Sequence, residues 1–507
     1  MEASQKQQQQ EVFDLSIFIF RRDFRLVDNN GLKAACEQSK RVLPIFHFNP
    51  DQIDPSRNAF FNHASVQVMC ESLEDLDLEI RKFGSKLIYL MGDLDKCMAS
   101  LLEEVKPDAV FVNEDYSPFS RKRDALINDI CQQHNVKFFS YHDMMLIEKM
   151  QVLKPNGSFF TQFTPYFLKA SKKPVAKPDY TEHKNFTKEN FDLSTEFKGN
   201  IHDFYIPNPN IAQHGGRKNG IKVLETIVGF KDYAKVRVYP VKDTTKISAH
   251  TKYGTVSIRE VYWAIADGFG KKHDLLRQVF WRDFYYNIMY HFPDTVYDSY
   301  VASFRKITWP HQEEWFQAWK EGKTGYPFVD AGMRQLNVTS YFPNVMRLTV
   351  ANFLVKCLLI DWRKGQLYLA NNMLDYDLAQ NNGGWQWAAS TGAFKQPFDV
   401  IFNPWVQSAQ YDKDCTYIKR WCPELKDVPA KHIHDWEHHY HEYPNVDYPA
   451  PIVFFDERKK EVLEWYKNYV QIGGAKPHGI DINEAEIYEG MFDDEEEEME
   501  ERDLEDI

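Results

Sequence analysis

The first 145 residues constrain the fold of this chain most, because short apolar runs alternate there with longer polar and amphipathic stretches. The five runs are Leu15–Phe20, Val42–Phe48, Lys86–Met91, Asp108–Asn113 and Lys137–Tyr141. Runs of this length have the size of β-strands, and the stretches between them are long enough for crossover helices. Strands that alternate with helices pair in parallel. Residues 14–145 therefore predict an α/β domain with a parallel, Rossmann-like sheet.

The remainder of the chain divides by composition and periodicity. Residues 146–215 are rich in Lys, Pro and Asn and only weakly periodic, which predicts an inter-domain connection that crosses the surface. From residue 216 to residue 480, long amphipathic patterns with little β-branched alternation predict an all-helical domain. The polar, Gln-rich residues 1–13 and the acidic residues 481–507 are expected to be disordered.

Cysteine usage and hydropathy indicate the compartment. The seven cysteines form no Cys-x-x-Cys pair, which favours a reducing compartment and argues against disulfides, structural zinc or an iron–sulfur cluster. We therefore predict no metal. No apolar run approaches the roughly 18 residues of a membrane span, and the N-terminus lacks the apolar core of a signal peptide. We expect a soluble, monomeric intracellular protein, cytoplasmic or nuclear, with no membrane partner.

The segment Asp375–Gly392 carries the densest set of functional side chains. It combines carboxylates, amides, a glycine pair and two tryptophans, namely Asp375, Asp377, Asn381, Asn382, Gly383, Gly384, Trp385 and Trp387. Glycine lets a backbone approach a flat ligand, while carboxylates and amides offer acceptors and donors to a heteroatom-rich ring. A capped helix with two core indoles is the alternative interpretation.

On these residues the chain resembles the photolyase/cryptochrome flavoprotein family, most closely its class I members, which repair cyclobutane pyrimidine dimers in DNA. The similarity runs from Phe20 to about Tyr466 and is strongest between Asp274 and Leu425. The resemblance implies an enzyme, a photolyase that is a carbon–carbon lyase. It also implies FAD as the cofactor, UV-damaged DNA as the partner, and an α/β antenna domain before a helical FAD-binding domain.

The resemblance assigns roles within the segment. Asn381 would face N5 of the flavin, and Asp375 and Asp377 would hold polar groups of the cofactor. Trp385 would be the nearest electron donor, and Trp387 would line the lesion pocket. Further cofactor-binding residues implied by the resemblance are Arg282, Tyr376 and Arg347, the last of which would pair with Asp375.

A second cluster lies at the start of the predicted helical domain. It consists of Tyr233, Thr244, Thr245, Lys246, Ile247 and Ser248. Hydroxyls and backbone NH groups at a helix start suit a pyrophosphate, although a merely capped helix is the alternative. The cluster resembles the phosphate loop of the family. Lys246 stands in place of the family's Arg, which keeps the charge but loses the bidentate fork.

A third cluster places Gln278, Trp281, Arg282 and Tyr285 on one face of a predicted helix, three or four residues apart. A face that is both polar and aromatic suits a flipped-out dinucleotide, which needs an indole to stack on and donors for its base carbonyls. By the resemblance, Trp281 would stack against the lesion. Further lesion contacts implied by the resemblance are Asn344, Val345, Trp387 and Gln407.

Gln278 departs from the pattern of the class I enzymes. Members that repair cyclobutane dimers usually carry Glu here, and Gln can donate a hydrogen bond but no proton. Members that repair 6-4 photoproducts typically have Gln, accompanied by two His residues at the positions of Asn344 and Leu348. Since neither position is His, we favour the cyclobutane dimer, and the 6-4 photoproduct stays open as the alternative.

Three tryptophans match the electron donors that photoreduce the flavin in the family, namely Trp385, Trp362 and Trp309. The resemblance implies light-driven electron transfer from reduced FAD to a cyclobutane dimer. Two other function classes stay open: a cryptochrome photoreceptor that signals through its tail, and a helical adenine-nucleotide-binding protein without photochemistry. Asn381 favours repair, because many cryptochromes carry Asp or Cys there.

The acidic tail and the antenna site leave alternatives. The whole chain has a net charge of −13, whereas residues 481–507 contain fifteen carboxylates and one Arg, so the rest is nearly neutral. The tail either keeps the protein soluble or competes with DNA for a basic face. Folate is doubtful as the antenna chromophore, because Phe119 and Ser120 occupy the positions of the family's folate-contacting Asn-Glu pair. A deazaflavin, a second flavin or an empty site stay open.

Overall fold

The computed structural model describes residues 12–473 and begins with a five-stranded parallel sheet of order β3-β2-β1-β4-β5. The strands are β1 (Phe13–Phe20), β2 (Ser39–Phe48), β3 (Ile88–Met91), β4 (Ala109–Asn113) and β5 (Lys137–Tyr141). Each predicted apolar run forms a strand, which confirms the α/β domain. Residues 481–507, expected to form a disordered tail, and most of residues 1–13 lie outside the described residues.

Both faces of the sheet are covered. The flanking helices are α1 (Asn30–Gln38), α2 (Pro50–Ile53), α3 (His63–Arg81), α4 (Leu94–Val105) and α5 (Pro118–Gln133). Alternate residues of β1 enter different cores, Phe18 and Phe20 on one face and Ile17 on the other. Ile17 pairs with Leu43 of β2 and Val110 of β4. A sheet buried on both faces needs apolar residues on each, which explains the continuous runs in the sequence.

The sequence predicts that residues 146–215 cross the surface, but part of this connection is buried. It contains the helix α6 (Phe163–Ala170), in which Phe163 and Tyr166 are each only 1% exposed. These rings pack with apolar residues of the helical domain, including Phe284. A helix of eight residues shows too few turns for a clear periodic pattern, so tertiary contact rather than local sequence stabilises it.

Helices make up the rest of the described chain, which confirms the all-helical prediction. They are α7 (Arg217–Thr226), α8 (Tyr233–Val236), α9 (Ser248–Tyr253), α10 (Ile258–Phe269), α11 (Asp274–His291), α12 (Glu313–Glu321), α13 (Pro327–Thr339), α14 (Asn344–Asn352), α15 (Trp362–Asn372), α16 (Leu378–Ala388), α17 (Pro404–Tyr411), α18 (Thr416–Trp421), α19 (Ala430–Ile433), α20 (Trp436–His439) and α21 (Phe455–Gly473).

Short non-α segments connect them. The 3₁₀ helices are Ile201–Phe204, Ile227–Gly229, Pro293–Val296, Ala302–Lys306, Pro423–Leu425 and Tyr440–Glu442, and a π-helical turn spans Phe353–Cys357. The core of the helical domain is large and rich in aromatic side chains. Within residues 12–473, no helix combines the length and apolar character that crossing a membrane requires.

A buried charge network joins the two domains at the carboxyl end of β1. Arg25 pairs with Asp143, and Arg259 reaches Asp28 at 3.0 Å and Asp143 at 2.9 Å. Asp28 adopts a left-handed backbone with φ of 49°, which turns the chain back into α1. The strand order reverses between β1 and β4. In open α/β sheets, a crevice opens at such a point, outside the carboxyl ends of the strands. The network therefore fixes how the helical domain sits on the sheet.

Candidate active site

A cavity of about 360 Å³ lies within the helical domain and has the size of a small-molecule site. It brings together residues that are far apart in the sequence. The predicted site residues in its lining are Tyr233, Thr244, Thr245, Lys246, Ile247, Ser248, Gln278, Trp281, Arg282, Tyr285, Asn344, Val345, Arg347, Asp375, Asp377, Asn381, Trp385 and Trp387. All three sequence clusters therefore face one space.

One side of the cavity, here called the charged wall, consists of Lys246, Ser248, Arg347 and Asp375. Asp375 accepts hydrogen bonds on Oδ2 from Ser248 Oγ at 2.6 Å and from Arg347 Nη2 at 2.7 Å. The predicted Arg347–Asp375 ion pair is thus present. Burial opposes the charge of Arg347, but the neighbouring carboxylate outweighs burial and raises the pKa of the guanidinium.

The second oxygen of Asp375 is available for a ligand. Its Oδ1 atom is buried and has no hydrogen-bond partner among the described residues. A buried, charged acceptor without a partner is costly unless a ligand supplies a donor. Beside it, Lys246 has φ of 52°, a left-handed turn that bends the loop 244–248 around the cavity. The residue at the N-cap of α9 is Ile247, which has no side-chain cap, so the capped-helix alternative does not apply.

Asp377 lines the cavity, but the protein uses both of its oxygens. Oδ1 caps α16 by accepting from the backbone of Ala379 at 3.1 Å, and Oδ2 contacts Arg22 Nη2 at 2.5 Å. Tyr286 also donates to Oδ2. Although burial raises the pKa of Asp377, Arg22 and these hydrogen bonds leave it below its usual value. Asp377 therefore connects the helical domain to the loop after β1.

Another part of the lining, here called the aromatic wall, consists of Gln278, Trp281 and Tyr285 of α11. Trp281 stacks on Phe163 of α6, with ring centroids 3.6 Å apart and planes 6° apart. Phe163 thus covers one face of the indole, while Trp281 still lines the cavity. The Nε2 donor of Gln278 is buried and has no partner among the described residues. The aromatic wall therefore offers a stacking surface and one unused amide donor.

Gly383 and Gly384, the two adjacent glycines of the segment Asp375–Gly392, have different surroundings. A Cβ atom added to Gly383 would lie 2.1 Å from Cδ1 of Tyr285, so this glycine makes room for a ring of the aromatic wall. Gly384 lines the cavity, and a Cβ there would meet no atom within 4 Å. Only Gly384 therefore gives a ligand close access to the backbone of α16.

Two helices position the predicted electron donors. Trp385 of α16 lines the cavity, and a Cβ at Gly365 of α15 would lie 2.1 Å from its Cη2 atom. Gly365 thus lets Trp385 approach the helix that begins with Trp362. The indole nitrogen of Trp362 is buried without a partner among the described residues. Trp385 also forms an edge-to-face contact with Trp319, with ring centroids 6.2 Å apart.

Four predicted residues are not in the cavity lining. Trp362 is fully buried, and Trp309 lies against Trp465 with ring centroids 5.0 Å apart. Tyr376 and Gln407, which are predicted to contact ligands, lie outside the lining, and their ligand contacts stay predictions. Tyr376 turns toward the α/β domain and stacks on Phe60 at 6.2 Å, and Gln407 of α17 is buried beside Thr349.

Arg282 and Asn381 line the cavity while also binding neighbouring backbone. Arg282 Nη1 donates to the Met144 carbonyl at 2.7 Å, which holds α11 against the segment after β5. Asn381 Nδ2 donates to the Gln366 carbonyl at 3.0 Å. This bond orients the Asn381 amide and leaves its oxygen as the group available to a ligand.

Two basic residues of the lining, Arg237 and Lys252, are not among the residues predicted from the sequence. Each follows a predicted residue by four positions, Tyr233 and Ser248 respectively, so helical spacing is the signal that could have found them. Burial, followed by repulsion from Arg22, lowers the pKa of Lys252 to about 7. Together with Lys246 and Arg347 they make the lining attractive to an anion.

These features fit the FAD that the resemblance implies. A flat ring system needs the open backbone at Gly384, an anionic phosphate group needs the nearby cations, and ligand hydroxyls or ring NH groups need the free Asp375 Oδ1. No histidine is among the residues that line this cavity.

Comparisons with known proteins agree with this geometry. The family model described as the FAD binding domain of DNA photolyase matches residues 275–468, and the model described as DNA photolyase matches residues 16–182. A deoxyribodipyrimidine photo-lyase of Alkalihalophilus pseudofirmus is 32% identical over 477 residues, which cover 88% of this chain and 97% of the relative. The Escherichia coli protein of the same name is 30% identical, with coverage of 88% and 97%.

Solved structures give the same result. An archaeal photolyase from Sulfolobus tokodaii with two FAD molecules aligns with a TM-score of 0.79 and 38% identity, over 90% of this chain and 100% of that chain. A bacterial class III photolyase from Agrobacterium tumefaciens aligns with a TM-score of 0.82 and 26% identity, with coverage of 92% and 100%. A cryptochrome from Synechocystis shares the fold, with a TM-score of 0.81 at 23% identity over 89% of this chain and 99% of that chain.

Proposed function

The chain belongs to the DNA photolyase family and contains its FAD-binding domain, and from this premise we propose that it splits cyclobutane pyrimidine dimers in UV-damaged DNA under light. As a carbon–carbon lyase, it would break the two bonds of the cyclobutane ring that link neighbouring pyrimidines. Both bases are then restored with no net oxidation or reduction.

The observation that carries this proposal is the pairing of two unlike walls in one cavity. The charged wall carries Asp375 Oδ1 and the aromatic wall carries Gln278 Nε2, and neither atom has a hydrogen-bond partner in the described part of the chain. The first suits a permanent, anionic, hydroxyl-rich ligand, and the second suits a flat ligand with carbonyl groups. A cofactor and a damaged dinucleotide have these two chemistries.

On the charged wall, we assign Lys246 and Arg347 to the anionic part of the cofactor and Asp375 Oδ1 to one of its donors. Reduced FAD, when bound, supplies on excitation the electron that opens the cyclobutane ring and accepts it again afterwards. Asn381 would hold a polar atom of the ring system through its side-chain oxygen, since its amide nitrogen is bonded to Gln366. The remaining task of this wall is to fix the cofactor against α16.

On the aromatic wall, we assign Trp281 to stacking and Gln278 to a base carbonyl of the dimer. Phe163 supports the far face of Trp281, so the indole can stack on a base without turning. A dimer stacks poorly in the duplex, which lowers the cost of flipping it into such a cavity. Trp387 and Asn344, which also line the cavity, complete the contact surface for the lesion.

The choice of lesion is supported by the absence of histidine from the cavity lining. Repair of 6-4 photoproducts in the family relies on His, and Asn344 and Leu348 line this cavity at the corresponding positions. Neither side chain transfers a proton at neutral pH. An amide donor at Gln278 is sufficient to hold a dimer carbonyl.

The experiment that tests this proposal supplies each lesion separately. Purified protein with chemically reduced flavin is illuminated with DNA that carries either a cyclobutane dimer or a 6-4 photoproduct, and the restored DNA is measured by chromatography. We expect light-dependent reversal of the cyclobutane dimer alone. Reversal of the 6-4 photoproduct alone would overturn the substrate. A protein that binds flavin but repairs neither lesion would favour the photoreceptor class.

A further inference from the structure

A histidine-rich segment lies in the helical domain outside the cavity lining. Five of the 17 histidines of the chain fall within residues 432–441, together with Asp435 and the neighbouring Glu442. The segment folds as α19, α20 and the 3₁₀ helix Tyr440–Glu442. Histidine-rich tracts of this density are typical of metal-binding segments. The prediction of no metal rested on cysteine spacing and left this signal aside.

We propose that His432, His439 and Glu442 bind a divalent transition-metal ion of the Zn²⁺ type. One ligand atom from each of the three residues lies within 4.8 Å of the other two. Glu442 contacts both rings, since Oε1 lies 2.7 Å from Nδ1 of His439 and Oε2 lies 3.8 Å from Nδ1 of His432. Imidazole and carboxylate together suit Zn²⁺, Co²⁺, Ni²⁺ and Cu²⁺ rather than Mg²⁺ or Ca²⁺.

The arrangement of the two rings brings the Nδ1 atoms of His432 and His439 close to the Glu442 carboxylate. The imidazoles of His432 and His439 are parallel, with centroids 4.0 Å apart and planes 2° apart. Because the lone pairs lie in the ring planes, a shared ion requires the rings to tilt toward each other. The ligand side chains are 17%, 28% and 44% exposed for His432, His439 and Glu442, which leaves space for this tilt and for entry of the ion.

Three protein ligands leave one tetrahedral position for water. The hydroxyl of Tyr443 lies 2.5 Å from Nδ1 of His432 and is the neighbouring group that an incoming ion would displace or keep as a partner. On the other ring, Asp435 Oδ2 lies 3.5 Å from Nε2 of His439. A carboxylate at the second nitrogen orients a metal-binding histidine, so we assign Asp435 as a positioning residue.

The backbone that carries these ligands is anchored in the core. Trp436, between Asp435 and Glu437, is 1% exposed and donates from Nε1 to the Pro449 carbonyl at 2.9 Å. Its ring lies 5.7 Å from that of Tyr443. The two ligand-bearing turns therefore hold their relative position without an ion. A bound ion would link α19 to the 3₁₀ helix Tyr440–Glu442. None of its three ligands lines the cavity.

The test uses the full, untagged chain with its flavin, after treatment with a chelator. Zn²⁺ is titrated by calorimetry, and Co²⁺ is added in parallel because its visible absorption reports tetrahedral coordination. We expect one ion per chain. His439→Ala should lose this site, and Asp435→Asn should weaken it by about 10- to 100-fold, the range for a lost second partner of a ligand.

His441→Ala is the matched control, because His441 is exposed in the same segment and is not among the three proposed ligands. It should bind Zn²⁺ like the parent. Glu442→Gln, a change at an exposed side chain, gives a second test if His439→Ala does not fold; flavin content reports folding in each variant. Equal binding by the parent and both ligand variants, or an equal loss in His441→Ala, would overturn the proposal.

Discussion

The two walls of the cavity differ in how far the protein satisfies its own polar groups. On the charged wall, Asp375 already accepts hydrogen bonds from Ser248 and Arg347. On the aromatic wall, the Gln278 Nε2 donor has no partner among the described residues, and aromatic rings form the rest of the surface. An ion pair formed in advance favours a ligand that stays bound, because little reorganisation is needed. We therefore expect mutations to change cofactor retention and lesion recognition separately.

Asp375→Asn should produce the largest effect, because it breaks the charged wall. Removal of this carboxylate leaves the Arg347 guanidinium, only 25% exposed, without its counter-charge. We expect a loss of about 3 kcal/mol in the free energy of unfolding and a protein that no longer retains FAD through gel filtration. Urea unfolding and the ratio of flavin to protein absorbance measure the two effects.

The control for Asp375→Asn is Asp243→Asn. Asp243 pairs with Lys246 at 2.7 Å but is 81% exposed, so its removal should cost less than about 1 kcal/mol and leave FAD bound. If both variants keep their flavin, Asp375 does not hold the cofactor. If both lose it, the charged wall depends on surface charge rather than on the buried pair.

Trp385→Phe should block photoreduction of the oxidised flavin, while repair by chemically reduced enzyme continues. Trp385 lines the cavity, and it approaches α15 through the space at Gly365. We expect Trp362→Phe to slow photoreduction as well, and Trp319→Phe to leave it unchanged. Absorbance of the flavin under blue light gives the rates. Trp319 is in edge-to-face contact with Trp385. Slow photoreduction in Trp319→Phe together with an unchanged rate in Trp362→Phe would therefore assign the next step of the electron path to Trp319.

Trp281→Ala should weaken binding to dimer-containing DNA by about 1 to 3 kcal/mol, the range for one lost base–aromatic stack, with FAD retained. This variant breaks the aromatic wall alone. Trp263→Ala is the control, because Trp263 lies under Lys177 at 3.4 Å and is not in the cavity lining. Fluorescence anisotropy measures the affinity of each variant for damaged and for undamaged DNA. Unchanged affinity for damaged DNA in Trp281→Ala would show that the lesion does not stack there.

The sequence predicted the sheet well because β1, β2 and β4 are buried on both faces and therefore appear in the sequence as apolar runs. Val42–Phe48, for example, lies inside the observed Ser39–Phe48. It did not predict α6, because the helix depends on contacts with α11 that are distant in the chain. Phe163, which supports the proposed stacking residue, is hidden from sequence analysis for the same reason.

The candidate site was predictable where its residues are local in sequence. The residues of the loop 244–248 and most of the predicted residues in Asp375–Gly392 line the cavity. The direction of an individual side chain was not predictable, since it depends on packing. Tyr376 lies between two cavity residues in the sequence, yet its ring stacks on Phe60. The carboxylate oxygens of Asp377 accept hydrogen bonds from Arg22 and from the first turn of α16.

The smallest effect is expected from Gln278→Glu, which changes one atom of the aromatic wall. The new carboxyl group would occupy a place where Gln278 Nε2 has no partner within residues 12–473, so burial should raise the pKa of the carboxyl group. Below that pKa, the protonated acid can donate to a base carbonyl as the amide does, and binding should stay within about 1 kcal/mol of the parent. The repair yield per absorbed photon should hold or increase there.

Above that pKa the sign reverses, because a buried carboxylate would face the carbonyl oxygens of the dimer without a donor. Repair by the variant should therefore fall as pH rises, while the parent, whose amide does not titrate, stays constant over the same range. Repair yield measured from about pH 5 to pH 8 with chemically reduced enzyme compares the two profiles. Two flat and equal profiles would mean that position 278 does not touch the lesion, and the difference between the walls would then rest on Trp281 alone.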